Sequence, residues 1–188
     1  MVRVISSDRF LKRQELGNDV PFFICAFEPK EADAMEKIRQ SLARRLEKNS
    51  VTILEVNLYD LCVEILKQEG DWGEIIEKEP RWSKSELKEL LQNVLAPETY
   101  LAPKIAEMTA RNEYDVLFLC GIGEVYPYVR SHNVLHHLQS RIPKKPVVIF
   151  FPGRYEHTQE RGMSLDLFGR LHDRYYRAFN IFDIEPYT

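Results

Sequence analysis

The sequence predicts an α/β protein, a three-layer sandwich whose mainly parallel sheet has about five strands, in a single domain over residues 1–188. Three observations lead there. PFFICAF (21–27), VLFLC (116–120) and VVIFF (147–151) are apolar without alternation, as strands buried on both faces must be. Between such runs the spacing changes to the three and four residues of amphipathic helices. Strand and helix then alternate along the chain, and right-handed crossovers place helices on both faces of a parallel sheet.

Near the N-terminus, Ser7 and Asp8 can begin a short helix through Leu16, with Gly17 ending it. Pro21 introduces the first strand, to Phe27. From Pro29, the residues Ala32, Met35, Ile38, Leu42 and Leu46 mark one face of a helix of about five turns. Its charges, Glu31, Lys37, Arg44, Arg45 and Glu47 among them, read as a solvated face. VTILEV (51–56) is the second strand and Asn57 a turn residue. Leu58, Leu61, Cys62, Ile65 and Leu66 then form the buried face of a helix closed by Gly70.

Residues 71–113 read as a helical insertion between the second and third strands. Ser83 and Glu86 have capping-box spacing, Leu87 to Leu95 supply a buried face, and Pro97 stops that helix. A further helix is expected between Thr99 and Asn112, with Pro103 in its first turn and Leu101, Ile105 and Met108 inward. Trp72 and Trp82 are expected to cover the sheet edge, with anchoring of a partner as the alternative. The third strand, Val116 to Cys120, leads through a loop into a helix from Ser131 to Arg141, and Val147 to Phe151 form the fourth strand. FPGRYEHTQERGM, up to Met163, reads as a polar loop, Ser164 to Leu171 as a short turn of helix, and Tyr175 to Phe182 as a final edge strand.

Hydrophobic residues make up 44% and charged residues 29% of the chain, which suits a folded domain. A formal charge of −3 argues against broad non-specific nucleic-acid binding, which depends on cations neutralising phosphates. MVRVISSDRFLKRQE has no apolar signal core and no apolar run exceeds strand length, so neither secretion nor a membrane span is expected. Cys25, Cys62 and Cys120 form no CxxC pair, and a cytoplasmic location follows as the expectation.

The chemistry such a sheet commonly carries is largely missing from its motif positions. FEPKEADAM follows the first strand without GxxxxGK[ST], leaving neither glycines to wrap phosphates nor a hydroxyl for magnesium. The core is therefore P-loop-NTPase-like or Rossmann-like without a Walker A motif. GIG at 121–123 is a fragment of a dinucleotide fingerprint, and its glycines are better explained by positive φ and close packing. His132 and His136 have a spacing that could share a metal, but Asn133 stands where HExxH needs glutamate, so no metal or cofactor is expected. Ser131 reads as a helix cap or first-turn hydroxyl rather than a nucleophile. Arg130 stands among Tyr126, Tyr128 and Asn133, where its guanidinium can take a carboxylate or an aromatic ring, or pair internally with Glu124. The candidate partner- or ligand-binding residues are Gly121, Gly123, Glu124, Tyr126, Tyr128, Arg130, His132, Asn133 and, after the fourth strand, Arg154.

GIGEVYPYVRSHNVLHHLQ (121–139), PVVIFFPGRY (146–155), LFG (167–169) and YYRAFNI (175–181) closely resemble the BrxB family of bacterial BREX phage-defence systems. The resemblance implies a small cytoplasmic component acting beside a PglZ-type phosphatase-superfamily protein, an adenine methyltransferase and a large ATPase. It supplies no catalytic residues. Gly121, Gly123, Glu124, Pro127, Arg130 and Asn133 match its signature positions. The expectation is a non-catalytic adaptor for the PglZ-type protein. The rival is a degenerate nucleotide- or nucleic-acid-binding regulator using Arg154, Arg161, Arg170 and Arg174, and a third reading is a hydrolase using Glu124 and His132.

Overall fold

The computed structural model describes residues 1–12, 21–69, 71–158, 162–168, 171–174 and 178–184. Helices α1 (Val2–Ile5) and α2 (Asp8–Lys12) lead into β1 (Phe22–Phe27). The single N-terminal helix read from the sequence is thus two short ones, and its end near Leu16 and Gly17 lies outside the described residues. A 3-10 turn at Pro29–Glu31 opens α3 (Ala32–Glu47), followed by β2 (Ile53–Asn57) and α4 (Leu58–Gln68). Asn57 both ends β2 and caps α4, its side-chain oxygen accepting from the Tyr59 and Asp60 amides at 2.9 and 3.4 Å.

The insertion comprises α5 (Asp71–Lys78), α6 (Lys84–Val94), a π-turn at Pro97–Leu101 and α7 (Ala102–Arg111). Ser83 caps α6 as its spacing predicts: the Glu86 amide donates to the Ser83 hydroxyl at 3.3 Å and the Ser83 amide to the Glu86 carboxylate at 2.8 Å. Trp72 and Trp82 are half-buried against the core. Then come β3 (Val116–Cys120), α8 (Ser131–Leu138), β4 (Val147–Thr158), β5 (Gly162–Leu167), β6 (Leu171–Arg174) and β7 (Ala178–Asn180).

The strands run β2-β3-β4-β1-β7 with every neighbour parallel. β7 takes the expected edge position but spans only Ala178–Asn180 of the strand read over 175–182, since Ile181 and Phe182 turn into a 3-10 helix and residues 175–177 lie outside the described residues. Alternate residues of each strand serve opposite faces. Phe22, Ile24, Val56, Leu117, Leu119 and Ile149 pack with α4 to α8, whereas Phe23, Cys25, Val116, Phe118, Cys120 and Val148 pack with α1, α2 and α3. Buried on both sides, these strands have no use for alternation. Among the described residues, no helix is long and apolar enough to cross a membrane.

Two expectations fail at the C-terminal side. Residues read as a polar loop continue β4, which leaves its parallel neighbours after Pro152 and pairs antiparallel with β5 from Gly153 to Thr158. Of residues 164–171, read as helical, Ser164 to Leu167 instead belong to β5 and Leu171 begins β6, which pairs antiparallel with β5, while residues 169 and 170 lie outside the described residues. Close backbone pairing requires Gly153, since a Cβ there would come within 2.0 Å of the Asp166 carbonyl oxygen.

Candidate functional site

The carboxyl ends of β1, β3 and β4 do not close on one another. They leave a cleft of about 290 Å³, bounded by α3, by Gly121 to Glu124 after β3, and by Phe168 between β5 and β6. Parallel sheets bind ligands at such ends because the connections diverge there. β1 turns into α3 on one face, while β3 turns towards α8 on the other.

Arg39 stands in the cleft wall, only 5% exposed. Its guanidinium meets Glu36 one turn back at 2.5 Å and also pairs with Glu55 on the edge strand β2. Burial works against the charge, but the two carboxylates outweigh it and hold the guanidinium more firmly protonated than usual. In return, the bond from Arg39 holds the Glu36 carboxyl below its ordinary range. Beside them, burial pushes the Cys120 thiol up to about 12, and its sulfur lies 3.7 Å from the Val56 carbonyl oxygen. A thiol so raised is a poor nucleophile near neutral pH. The remaining wall is mainly apolar, from Phe27, Met35, Ile122, Phe150, Pro152 and Phe168.

The loop that frames this cleft is held by contact rather than by chain regularity. Gly121 has φ +75°, and a Cβ there would lie 2.2 Å from the Asn57 side-chain oxygen. A Cβ on Gly123 would lie 2.8 Å from Pro152 and 3.2 Å from the Phe168 ring. Both glycines are therefore demanded by packing, one of them also by backbone conformation. Tyr126 meets Phe168 edge-on with ring centroids 6.0 Å apart, and the Gln92 side chain donates to the Pro127 carbonyl at 3.2 Å. Phe168 itself has φ +56°, a conformation that bulky residues seldom adopt.

Of the residues singled out from sequence, the structure brings Gly121, Gly123 and Glu124 into the cleft wall, with Tyr126 reaching it through Phe168. Arg154 is exposed on β4 and pairs with Glu28, just after β1, at 3.6 Å. Tyr128 packs on the core of the α8 face, Arg130 and Asn133 are exposed around the start of α8, and His132 is half-buried on that helix. None of these four lines the cleft. Among the described residues no hydrogen bond or ion pair joins Glu124 to Arg130 or to His132, so of the alternatives open to Arg130 the pairing with Glu124 is not made. Ser131 is the first residue of α8 rather than its cap; Arg130 holds the cap position, and the buried Ser131 hydroxyl accepts no amide among the described residues. Arg161 and Arg170 lie outside the described residues. No group of three or more His, Cys, Asp or Glu is placed to hold a metal among the described residues.

Arg39 escaped the sequence reading because Ile38 took its place on the proposed buried face. Ile38 is in fact 51% exposed, while Arg39, Leu42 and Leu46 are buried. The signal was present: Ala32, Met35, Arg39, Leu42 and Leu46 follow the three-four alternation of a helix seam, with a cation at one apolar position.

The BrxB family model, described as "BREX protein BrxB", matches residues 54–181. A protein of that description from Bacillus cereus (strain H3081.97) is 32% identical over 182 residues, covering 95% of this chain and 92% of its own. One from Escherichia coli O9:H4 (strain HS) is 28% identical over 179 residues, covering 94% and 86%. No solved structure matches the chain.

Proposed function

The chain belongs to the BrxB family of BREX proteins, and on that premise we propose that it is a non-catalytic adaptor within this phage-defence system. In this reading it binds the PglZ-type phosphatase-superfamily protein and supports assembly of the host-DNA-methylation and phage-exclusion complex, including the methyltransferase and large ATPase. The observation that carries it is the loop from Gly121 to Arg130. Packing at Gly121, Gly123 and Tyr126 holds its backbone, while the Glu124 and Arg130 side chains stand exposed. A surface preorganised in this way loses little conformational freedom on binding. The polar groups in the cleft wall also serve structure: Arg39 is shared by Glu36 and Glu55.

Calorimetry of this chain with the PglZ-type protein tests the reading. Association at micromolar concentration is expected, weakened about tenfold or more by Glu124→Arg or Arg130→Glu. Absence of association, or association indifferent to both reversals, overturns it.

The open cleft favours a second reading, a regulator that has kept a ligand pocket without a phosphate loop. Adenosine, ATP or a short DNA duplex raising the melting temperature, and failing to do so with Arg39→Met, would favour it over the adaptor.

A further inference from the structure

A groove of about 670 Å³ lies between α1, α3 and the 3-10 turn at Ile181–Asp183, on the sheet face that α3 covers. Its apolar floor breaks the usual rule for surfaces. Ile38 is 51% exposed and Phe182 57% exposed, and both line this groove together with Leu42. Arg3, Lys37 and Arg45 line the same groove, and Arg44 and Lys48 continue the charge into the adjoining depression.

None of Arg3, Lys37, Arg44, Arg45 or Lys48 forms an ion pair among the described residues, although Arg39 on the same helix has two. Among the described residues, acids close in sequence to these cations are Asp33, one turn before Lys37 on α3, and Glu47 in the adjoining depression; beside Phe182 stands Asp183, whose carboxylate accepts from the Asn180 side chain at 3.0 Å. A locally basic, apolar groove on a chain of net charge −3 is more than a solvated helix face.

We propose that this groove docks an acidic amphipathic helix of a partner protein. Ile38, Ser41, Leu42 and Arg45 stand at i, i+3, i+4 and i+7 of α3, the stripe along which a second helix packs, and the small Ser41 lets the two axes approach. The partner's apolar stripe covers Ile38 and Phe182, and its flanking carboxylates meet Arg3, Lys37 and Arg45. Charge complementarity selects this occupant over a second copy, because a twofold contact would set the basic stripe against itself. The exposed apolar side chains select it over nucleic acid, whose phosphates gain nothing from Ile38 or Phe182. This goes beyond the adaptor reading: the groove lies along α3 rather than on the Gly121–Arg130 loop, so the chain would have two faces with which to join two components.

The test is fluorescence anisotropy on the full chain, with a labelled synthetic helix of about 20 residues carrying leucines at i, i+3, i+4 and i+7 between glutamates. Its lysine-for-glutamate counterpart and a short DNA duplex serve as the other probes. Binding of the acidic helix that weakens with salt is expected, reduced about tenfold or more by Ile38→Asp and by Lys37→Glu with Arg45→Glu, and unchanged by Lys88→Ala, an exposed residue of α6 packed on the other sheet face. The proposal is overturned if the acidic helix does not bind, or if the lysine helix binds as well. It is equally overturned if the duplex binds and Ile38→Asp leaves that binding intact, which makes the surface a phosphate patch. Sedimentation as a dimer that Ile38→Asp dissolves assigns the groove to a second copy instead.

Discussion

Arg39 of α3 reaches across the outer face of the sheet to pair with Glu55 of the edge strand β2, tying the helix that follows β1 to a strand on the far side of β3 and β4. The guanidinium is buried, whereas both its carboxylate partners are more than one third exposed. The desolvation cost therefore falls on one side of the pair. Removing Arg39 frees carboxylates that water can reach; removing a carboxylate leaves a buried cation with one partner fewer.

Truncation at this point should separate the two sides. Glu55→Gln leaves Arg39 paired with Glu36 and is expected to cost about 1 kcal/mol, whereas Glu36→Gln with Glu55→Gln strands the buried cation and costs about 3 kcal/mol or more. Arg39→Met, which keeps length and removes the charge, is expected to fall below the double variant in cost. Urea denaturation of the three variants gives the ranking, and an equal loss for all would rule out a charge effect.

Acid titration reports on the same pair. Glu36 has a folded-state pKa below its ordinary value of 4.5, chiefly through the bond from Arg39, so its contribution is fully present above that value and is lost as pH falls below it. Because this carboxylate is nearly half exposed, solvent screening keeps the contribution small. Urea midpoints measured from neutral pH down to about pH 3 should therefore fall more steeply for the native chain than for Glu36→Gln below the ordinary carboxylate pKa.

Gly121 and Asn57 form a second coupled pair. Gly121→Ala meets the Asn57 side-chain oxygen and must also hold φ at +75°, for a loss of about 2–3 kcal/mol. Asn57→Ala removes the α4 cap at about 1 kcal/mol. Since part of the Gly121→Ala cost is collision with the very side chain that Asn57→Ala deletes, the double variant should lose less than the sum, and additive losses in thermal melts would contradict the contact.

The thiols offer a direct probe of burial. Cys25, Cys62 and Cys120 are all buried and each is pushed up to about 12, mainly by desolvation. In the native protein at pH 8 an aromatic disulfide reagent should label them at least about a hundredfold more slowly than in denaturant. Rapid native labelling of Cys120 alone would show the cleft opening far enough to expose the end of β3.

The elements that sequence made legible share one property: their pattern reflects a single dominant environment. β1, β3 and the first half of β4 are buried on both faces, so their residues are uniformly apolar. The Ser83–Glu86 box and the Pro97 break are likewise local, requiring only residues a turn apart. Gly121 and Gly123 could be read as packing glycines because no side chain is easy to place in so tight a turn. The hairpin of β4, β5 and β6 was illegible for the opposite reason. Its polar residues match loops and edge strands equally, and only backbone pairing between Arg154 and Asp166 and their neighbours distinguishes the two.

What sequence alone determined, then, was the α/β class, which segments of the chain are buried strands, the helical insertion and the missing phosphate loop. These follow from hydrophobic period and from local backbone chemistry. Tertiary structure decided which residues meet at the strand ends: Arg39 with Glu36 and Glu55 rather than Arg130 with Glu124, and a cleft that stays open beside them. It also turned Ile38, read as part of the buried face, outward among charges read as solvated, which makes an apolar groove whose cations form no ion pair among the described residues. A helix's period says which residues share a side. Only the packed sheet and its neighbouring helices say which side is covered.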